Sequence, residues 1–66
     1  MNNYYLRALD QNGSESYYTG KAGKNWISIN RDDAFLYQSK EAAQRKATAF
    51  NRMTEIHGLR FIVLAY

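Results

Sequence analysis

The most constraining feature of this sequence is a set of strand-like segments that carry hydrophobic residues on both faces. Residues 59–66 are almost entirely hydrophobic, and two further segments contain the adjacent pairs Tyr4-Tyr5 and Tyr17-Tyr18. Neighbouring residues on a strand point to opposite sides of a sheet. Because the chain has only one strong helical segment, one face would be covered and the other would present aromatic side chains to water. Patches of this kind commonly mark an interaction surface.

The length and composition indicate one small domain spanning residues 1–66. A chain of about 60 residues buries only about 60% of its unfolded surface, so the core is small and self-association would stabilise it. The chain contains no cysteine, which excludes a disulfide framework and a cysteine-ligated metal site. The formal net charge of +3 comes from basic residues spread along the sequence. This pattern favours a surface of mixed sign over a nucleic-acid signature.

The hydrophobic segments do not suggest export or insertion into a membrane. The sequence opens with a strand-like segment, where a secretory signal would have a basic region followed by an apolar one. None of its apolar stretches approaches the roughly 20 residues that span a bilayer. We therefore expect a cytoplasmic protein with no membrane association.

The first half of the chain has the pattern of a β-meander. Residues 3–10 alternate in strand fashion, and Asn12-Gly13 follows them. Asn-Gly is a strong hairpin signal because both residues accept positive φ. Residues 16–19 would form the returning strand and residues 26–29 a third one. The segment therefore predicts three strands, or one long hairpin with a bulged arm.

The second half predicts a helix followed by a strand. Ser39 is a suitable N-cap for a helix that runs from Lys40 to about Ile56, and Gly58 is a suitable stop. Phe50 and Met53 are expected to be its larger anchors on the sheet. The helical stripe that would face the sheet consists of Ala42, Ala43, Ala47, Ala49, Phe50, Met53 and Ile56. Residues 59–66, apolar on both faces, are typical of a central strand, which we expect beside the first strand.

These elements predict an α+β fold with the order β-β-(β)-α-β. The sheet would be antiparallel-rich and have three or four strands, with the single helix packed on one face. The sequence leaves open which tyrosine of each pair faces the helix, because a shift of one residue in register exchanges the two faces.

Several sequence features resemble catalytic or metal-binding motifs but have simpler explanations. Residues 20–25 contain Gly-Lys but lack the spacing and the hydroxyl residue of a phosphate-binding loop. Asp32-Asp33 is better explained as a turn than as a cation site. His57 is the only histidine, so it has no obvious partners for a zinc site or for general-base catalysis. We expect no enzyme activity, no catalytic or metal-binding residues and no cofactor.

The aromatic residues are the best candidates for function. Six tyrosines and one tryptophan exceed what one helix on one sheet can bury, and Tyr, Trp and Arg dominate binding hot spots. Arginine and lysine residues are interleaved with them. The residues that we expect to bind a partner are Tyr5, Arg7, Tyr17, Trp26, Arg60 and Tyr66.

Residues 33–43 carry the pattern Asp-Ala, four residues, then Ser-Lys-Glu-Ala-Ala. This stretch resembles a pattern in small phage and prophage proteins, in which Asp-Ala and a hydrophobic step precede Ser-Lys-Glu, a helix and a final Val/Ile-rich strand. Gly20 and Trp26 also fit the preceding hairpin of such proteins. The resemblance implies a phage or prophage accessory protein with a hairpin-helix-strand fold, and it transfers no catalytic residue.

The sequence therefore predicts a small non-enzymatic protein that acts by protein–protein contact. Its partner would be a second copy, in a homodimer, or a host protein that it inhibits or redirects; no small-molecule substrate is expected. The alternative is a small nucleic-acid-binding module in which sheet aromatics stack on bases and Lys and Arg hold phosphates. That alternative requires basic residues on the same face as the rings and a steep salt dependence. A more remote alternative is a nuclease or toxin that uses His57.

Overall fold

The computed structural model describes residues 3–54 and 58–66. The elements are β1 (Tyr4–Leu9), β2 (Glu15–Tyr18), β3 (Ile27–Ser28), α1 (Lys40–Thr54) and β4 (Arg60–Ala65), with single 3-10 turns at Gly23–Asn25 and Arg31–Asp33. The four strands form one antiparallel sheet in the order β3-β2-β1-β4. Helix α1 packs on one face of this sheet, mainly against β4 and β1. The predicted α+β fold and its element order are confirmed.

The β1–β2 hairpin is confirmed, but its turn differs from the predicted one. The carboxylate of Asp10 accepts hydrogen bonds from the backbone N–H groups of Asn12, at 2.8 Å, and Ser14, at 2.9 Å. Gly13 has a φ of +83°, and no described residue other than glycine has a positive φ. Because Asp10 organises the turn, only Gly13 needs the left-handed conformation.

Helix α1 begins as the sequence predicts. The Ser39 hydroxyl accepts a hydrogen bond from the Ala42 N–H at 3.3 Å, and the Ser39 carbonyl accepts one from Ala43 at 3.1 Å. This is an N-cap, which satisfies a donor that has no partner inside the helix. Gly58 has a φ of +74°, a left-handed conformation that glycine adopts readily. Its role as the stop of the helix stays a prediction, because α1 is described only to Thr54. The predictions for Ile56 and His57 fall outside the described residues.

The core lies between α1 and the two strands beneath it. Its fully buried members are Leu6, Ala8, Ala43, Ala47 and Phe61. The two alanines let the helix approach the sheet closely, and Phe50 packs beside them with its ring centroid 4.9 Å from that of Phe61. The predictions for Ala49 and Met53 were wrong. Ala49 is exposed, and so is 64% of the Met53 surface. Relative to the buried Ala47, these two residues are rotated around the helix by about 160° and about 120°, which turns both away from the sheet.

The position of β4 corrects a second prediction. The strand pairs with β1, as expected, but it forms the edge of the sheet and β1 and β2 are central. Its hydrophobic character on both faces reflects the helix on one side and aromatic side chains on the other. At the outer edge, the Asn51 side chain accepts the Phe61 N–H at 2.7 Å and donates to the Phe61 carbonyl at 3.0 Å. At Phe61, the Asn51 side chain of the helix thus makes the two backbone hydrogen bonds that a neighbouring strand would otherwise make.

The segment before the helix is tied to the sheet by its backbone. Tyr37 and Tyr4 exchange two hydrogen bonds, of 2.7 and 2.8 Å, and the Phe35 N–H donates to the Tyr18 carbonyl at 2.8 Å. The Tyr37 ring packs against that of Phe35, with a centroid separation of 4.8 Å. Burial, with a smaller contribution from Tyr18, raises the pKa of Tyr37 to about 12. The neutral phenol is therefore the form that the fold favours.

The close helix–sheet contact predicts how α1 tolerates larger side chains. Ala43→Leu should lower the free energy of unfolding by about 1–3 kcal/mol, because Ala43 is fully buried between the helix and the sheet and a larger side chain would overpack this contact. Urea titration followed by Trp26 fluorescence would measure this. Ala49→Leu is the matched control, since Ala49 is an exposed position of the same helix. Equal effects of the two substitutions would contradict the packing described here.

The raised pKa of Tyr37 predicts a loss of stability at high pH. The unfolded chain ionises near the ordinary pKa of 10.0, and the folded chain near 12, so the unfolded state releases this proton first. The stabilisation is complete below pH 10 and is lost as the pH rises from 10 to 12. Free energies of unfolding, measured across that range, should fall less steeply in Tyr37→Phe than in the original chain. Parallel slopes would argue against a buried Tyr37 hydroxyl.

Candidate functional site

The face of the sheet opposite α1 is the candidate functional site, and we call it the open face. On β1, Leu6 and Ala8 point into the core, so Tyr5 and Arg7 point the other way. The strand register places Tyr17 and Ile62 on either side of Arg7, and Leu64 beside Tyr5. The open face therefore comprises Tyr5, Arg7, Leu9, Glu15, Tyr17, Arg60, Ile62, Leu64 and Tyr66.

Three tyrosines and one arginine form a compact group on the open face, which we call the tyrosine–arginine cluster. The Tyr5 ring centroid lies 5.8 Å from that of Tyr17 and 5.7 Å from that of Tyr66. Arg31, from the 3-10 turn after β3, lies over two of these rings, 4.1 Å from the Tyr66 centroid and 5.1 Å from the Tyr5 centroid. Its Nε also donates a hydrogen bond to the Tyr5 hydroxyl at 3.3 Å. Only 6% of Tyr5 is exposed, although it lies on the uncovered side of the sheet.

The electrostatics of the cluster favour a charged Arg31. The hydrogen bond to Tyr5, together with the nearby Tyr66 and Tyr17 hydroxyls, raises the pKa of the Arg31 guanidinium above its ordinary value. A cation over an aromatic ring is attracted by the negative face of the ring. Arg31 therefore acts as a polar cover for Tyr5, and it leaves Tyr66 half exposed at the border of the cluster.

Arg7 occupies the middle of the open face with its charge compensated. Its Nη1 lies 3.2 Å from Glu15 Oε1 in an ion pair. Its Nε is buried and makes no hydrogen bond to the part of the chain that the structure describes. The pair is partly exposed on the open face, so a ligand that approaches Arg7 also meets the carboxylate of Glu15.

An uncharged strip runs along β4 beside the cluster. Ile62 and Leu64 are half-buried, and Tyr66 follows them with 48% of its surface exposed. Because every second residue of a strand shares a face, these three side chains form one continuous row. Arg60 lies at the other end of the same row, opposite Leu9, so charge is confined to the end of the strip.

Five of the six residues predicted to bind a partner belong to the open face, and Trp26 does not. Trp26 directly follows the first 3-10 turn, and its N–H donates to the Gly23 carbonyl at 3.2 Å. Its ring packs on the helix side, with centroids 5.6 Å from Phe50 and 5.8 Å from Phe61. Trp26 therefore belongs to the core.

Five residues of the site were not predicted from the sequence, namely Leu9, Glu15, Arg31, Ile62 and Leu64. Ile62 and Leu64 could have been found from their alternation with Arg60 and Tyr66. Arg31 gave no such signal, because it reaches the face from a turn and not from a strand.

The motifs that were set aside have structural roles in the described residues. Residues 20–25 connect β2 to β3 through the 3-10 turn Gly23–Asn25. Asp33 accepts a hydrogen bond from the Ser28 hydroxyl at 2.7 Å, which agrees with its interpretation as a turn residue. Within residues 3–54 and 58–66, no three His, Asp or Glu side chains are grouped so as to hold a metal ion. The same part of the chain contains no helix of the length and hydrophobicity needed to cross a membrane.

The role of Arg31 as a cover predicts the reactivity of Tyr5. In Arg31→Ala, Tyr5 should become accessible to nitration by tetranitromethane, because a guanidinium no longer lies over its ring. Peptide mass spectrometry would locate the nitro group, and the half-exposed Tyr66 would serve as an internal reference. Lys24→Ala removes an exposed positive charge from another turn and should leave Tyr5 protected. If Tyr5 stayed equally unreactive in Arg31→Ala, the cover would be unnecessary.

Comparisons with known proteins give no functional assignment. No protein-family model, curated protein or solved structure matches this chain. The functional argument therefore depends on the geometry of the open face.

Proposed function

We propose that this chain is a small non-enzymatic binding protein that contacts another protein through the open face of its sheet. The observation that carries the proposal is the uncharged strip of Ile62, Leu64 and Tyr66 directly beside the tyrosine–arginine cluster. Protein interfaces combine an apolar centre with charges at the rim, and tyrosine and arginine are enriched in their hot spots.

The cluster is arranged before any partner arrives. The Tyr5 ring is in contact with Tyr17, Tyr66 and Arg31 at once. Side chains that are already fixed lose less conformational entropy on binding, so more of the contact energy appears as affinity. This supports a recognition surface with a defined shape.

The resemblance of residues 33–43 to small phage and prophage proteins supports a biological setting for this activity. An accessory protein of that kind would act in the cytoplasm by docking onto a host protein and inhibiting or redirecting it. In this proposal the open face is the docking surface, and a host protein with an exposed apolar patch is its partner.

A second candidate function is binding of single-stranded nucleic acid. It is favoured by three arginines, Arg7, Arg31 and Arg60, on the same face as three tyrosines. Base stacking requires open ring faces, whereas Arg31 covers Tyr5 and lies over Tyr66. Arg7 is also paired with Glu15. These contacts favour the protein-binding proposal.

Site-specific photo-crosslinking would test the proposal directly. A benzophenone amino acid in place of Tyr17, on the open face, should crosslink the chain to a protein in host cells. The same probe in place of Ala49, on the exposed side of α1, is the control and should not give that product. A product that forms equally from both positions, or that contains nucleic acid, would count against the proposal.

The captured partner then allows a quantitative prediction. Tyr66→Ala should weaken binding of the purified partner by about tenfold or more, because an exposed tyrosine at the centre of an interface is a typical hot spot. Ala49→Ser is the matched control and should bind normally. Binding should change little between low and high salt, in contrast to a phosphate-dependent complex, whose affinity falls steeply. Titration of single-stranded oligonucleotides under the same conditions would measure the alternative.

A further inference from the structure

The outer edge of β4 carries backbone groups that no described residue satisfies. The Phe61 N–H and carbonyl point away from β1, because both bond to the Asn51 side chain. The Tyr66 N–H points towards β1, where it donates to the Asn3 carbonyl at 2.8 Å. Backbone groups alternate between the two sides of a strand. Those of Val63 and Ala65 therefore point outwards, and the residues of the described part of the chain offer them no partner.

This edge has few of the features that normally prevent strands from pairing with other chains. Natural edge strands are kept short or carry proline, charged residues or bulges. Residues 61–66 contain neither proline nor a charged side chain. The opposite edge of the sheet is β3, which is only two residues long and is flanked by 3-10 turns. Asn51 blocks the β4 edge at Phe61 and leaves it open from Ile62 onwards.

We propose that a second copy of this chain pairs antiparallel along the β4 edge, with Val63 of one copy opposite Ala65 of the other. This register uses both outward-facing residues of each strand, so it forms four backbone hydrogen bonds. A register centred on Val63 would form only two, because it would place Ala65 opposite Phe61, whose backbone groups already bond to Asn51. The contact is a two-fold one, as in most homodimers.

The side chains along this register are complementary to themselves. On the open face, Leu64 meets Leu64 of the second copy, and Ile62 meets Tyr66. Apolar cross-strand pairs of this type stabilise a sheet. Arg60 lies outside the paired segment, so no like charges face one another. This self-complementarity is the reason for choosing a second copy as the occupant.

The resulting dimer would have a continuous sheet of eight strands, four from each copy. Its open face would be twice as wide, and the uncharged strips of both copies would lie next to each other at its centre. The inference does not depend on what the open face binds. A dimer formed by stacking two open faces would be a different arrangement, and the test below separates the two.

Disulfide crosslinking of single-cysteine variants would test the register between the two β4 strands, because the chain has no cysteine of its own. In a non-hydrogen-bonded antiparallel pair, opposite Cα atoms are about 4.5 Å apart, within the range for a disulfide. Leu64→Cys should therefore crosslink to itself under mild oxidation. Ile62→Cys is the matched control on the same strand and face. Two copies of Ile62 would be about 13 Å apart in this register, so this variant should not form a disulfide-linked dimer.

Sedimentation equilibrium would test the role of the backbone donors. Ala65→Pro removes an outward-facing N–H from each copy while every bond between β4 and β1 is kept. It should raise the dissociation constant of the dimer by about tenfold or more, since two of four bonds are lost. Ala65→Val keeps the donor and should dimerise as the original chain does. Circular dichroism and Trp26 fluorescence would check that each variant is folded.

Three results would overturn the inference. The first is an original chain that stays monomeric up to millimolar concentration. The second is an Ala65→Pro variant that is folded and dimerises with unchanged affinity. The third is equal crosslinking of Leu64→Cys and Ile62→Cys, which would indicate stacking of two open faces. A protein partner bound at the open face could still exist in each case, so failure here would be distinguishable from failure of the proposed function.

Discussion

The structure depends on the close approach of one helix to one face of the sheet. Ala43 and Ala47 on α1 meet Leu6 and Phe61, and all four are buried. Two small residues at this contact bring the helix near enough to exclude water, and large rings at its ends fill the remaining space. Residues 3–54 and 58–66 contain no second α-helix to cover the other face. The side chains of that other face must therefore stabilise it themselves.

The open face is stabilised by its own side chains, since the described part of the chain places no second layer over it. Arg31 comes from a 3-10 turn to lie over Tyr5 and Tyr66, and Arg7 pairs with Glu15 across two strands. These contacts bury Tyr5 without a second layer of structure. They do not extend to Ile62 and Leu64, so an uncharged strip remains accessible. A surface that combines fixed rings with a free apolar strip is well suited to binding another protein.

Local signals predicted the elements well, and long-range placement was predicted less well. Ser39 caps the helix and Gly13 turns the hairpin because each acts on its immediate neighbours. The edge position of β4 could not be predicted from residues 59–66. An edge strand that is covered on both faces is as hydrophobic as a central strand. Trp26 packs against the core and not on the open face, because the 3-10 turn directly before it sets its position. Arg31 was missed for a related reason, as a turn residue has no strand periodicity.

The open face and the free edge meet on a single strand. The side chain of Leu64 belongs to the open face, while the backbone groups of its neighbours Val63 and Ala65 form the free edge. Side chains and backbone of β4 can therefore serve two partners at once, because they point in perpendicular directions. A protein that docks on the open face of a dimer paired along β4 would contact the Leu64 side chains of both copies. Self-association would then strengthen binding of such a partner, because a dimer offers it two adjacent Leu64 side chains where a single copy offers one. The bound partner would in turn stabilise the dimer, since it contacts both copies.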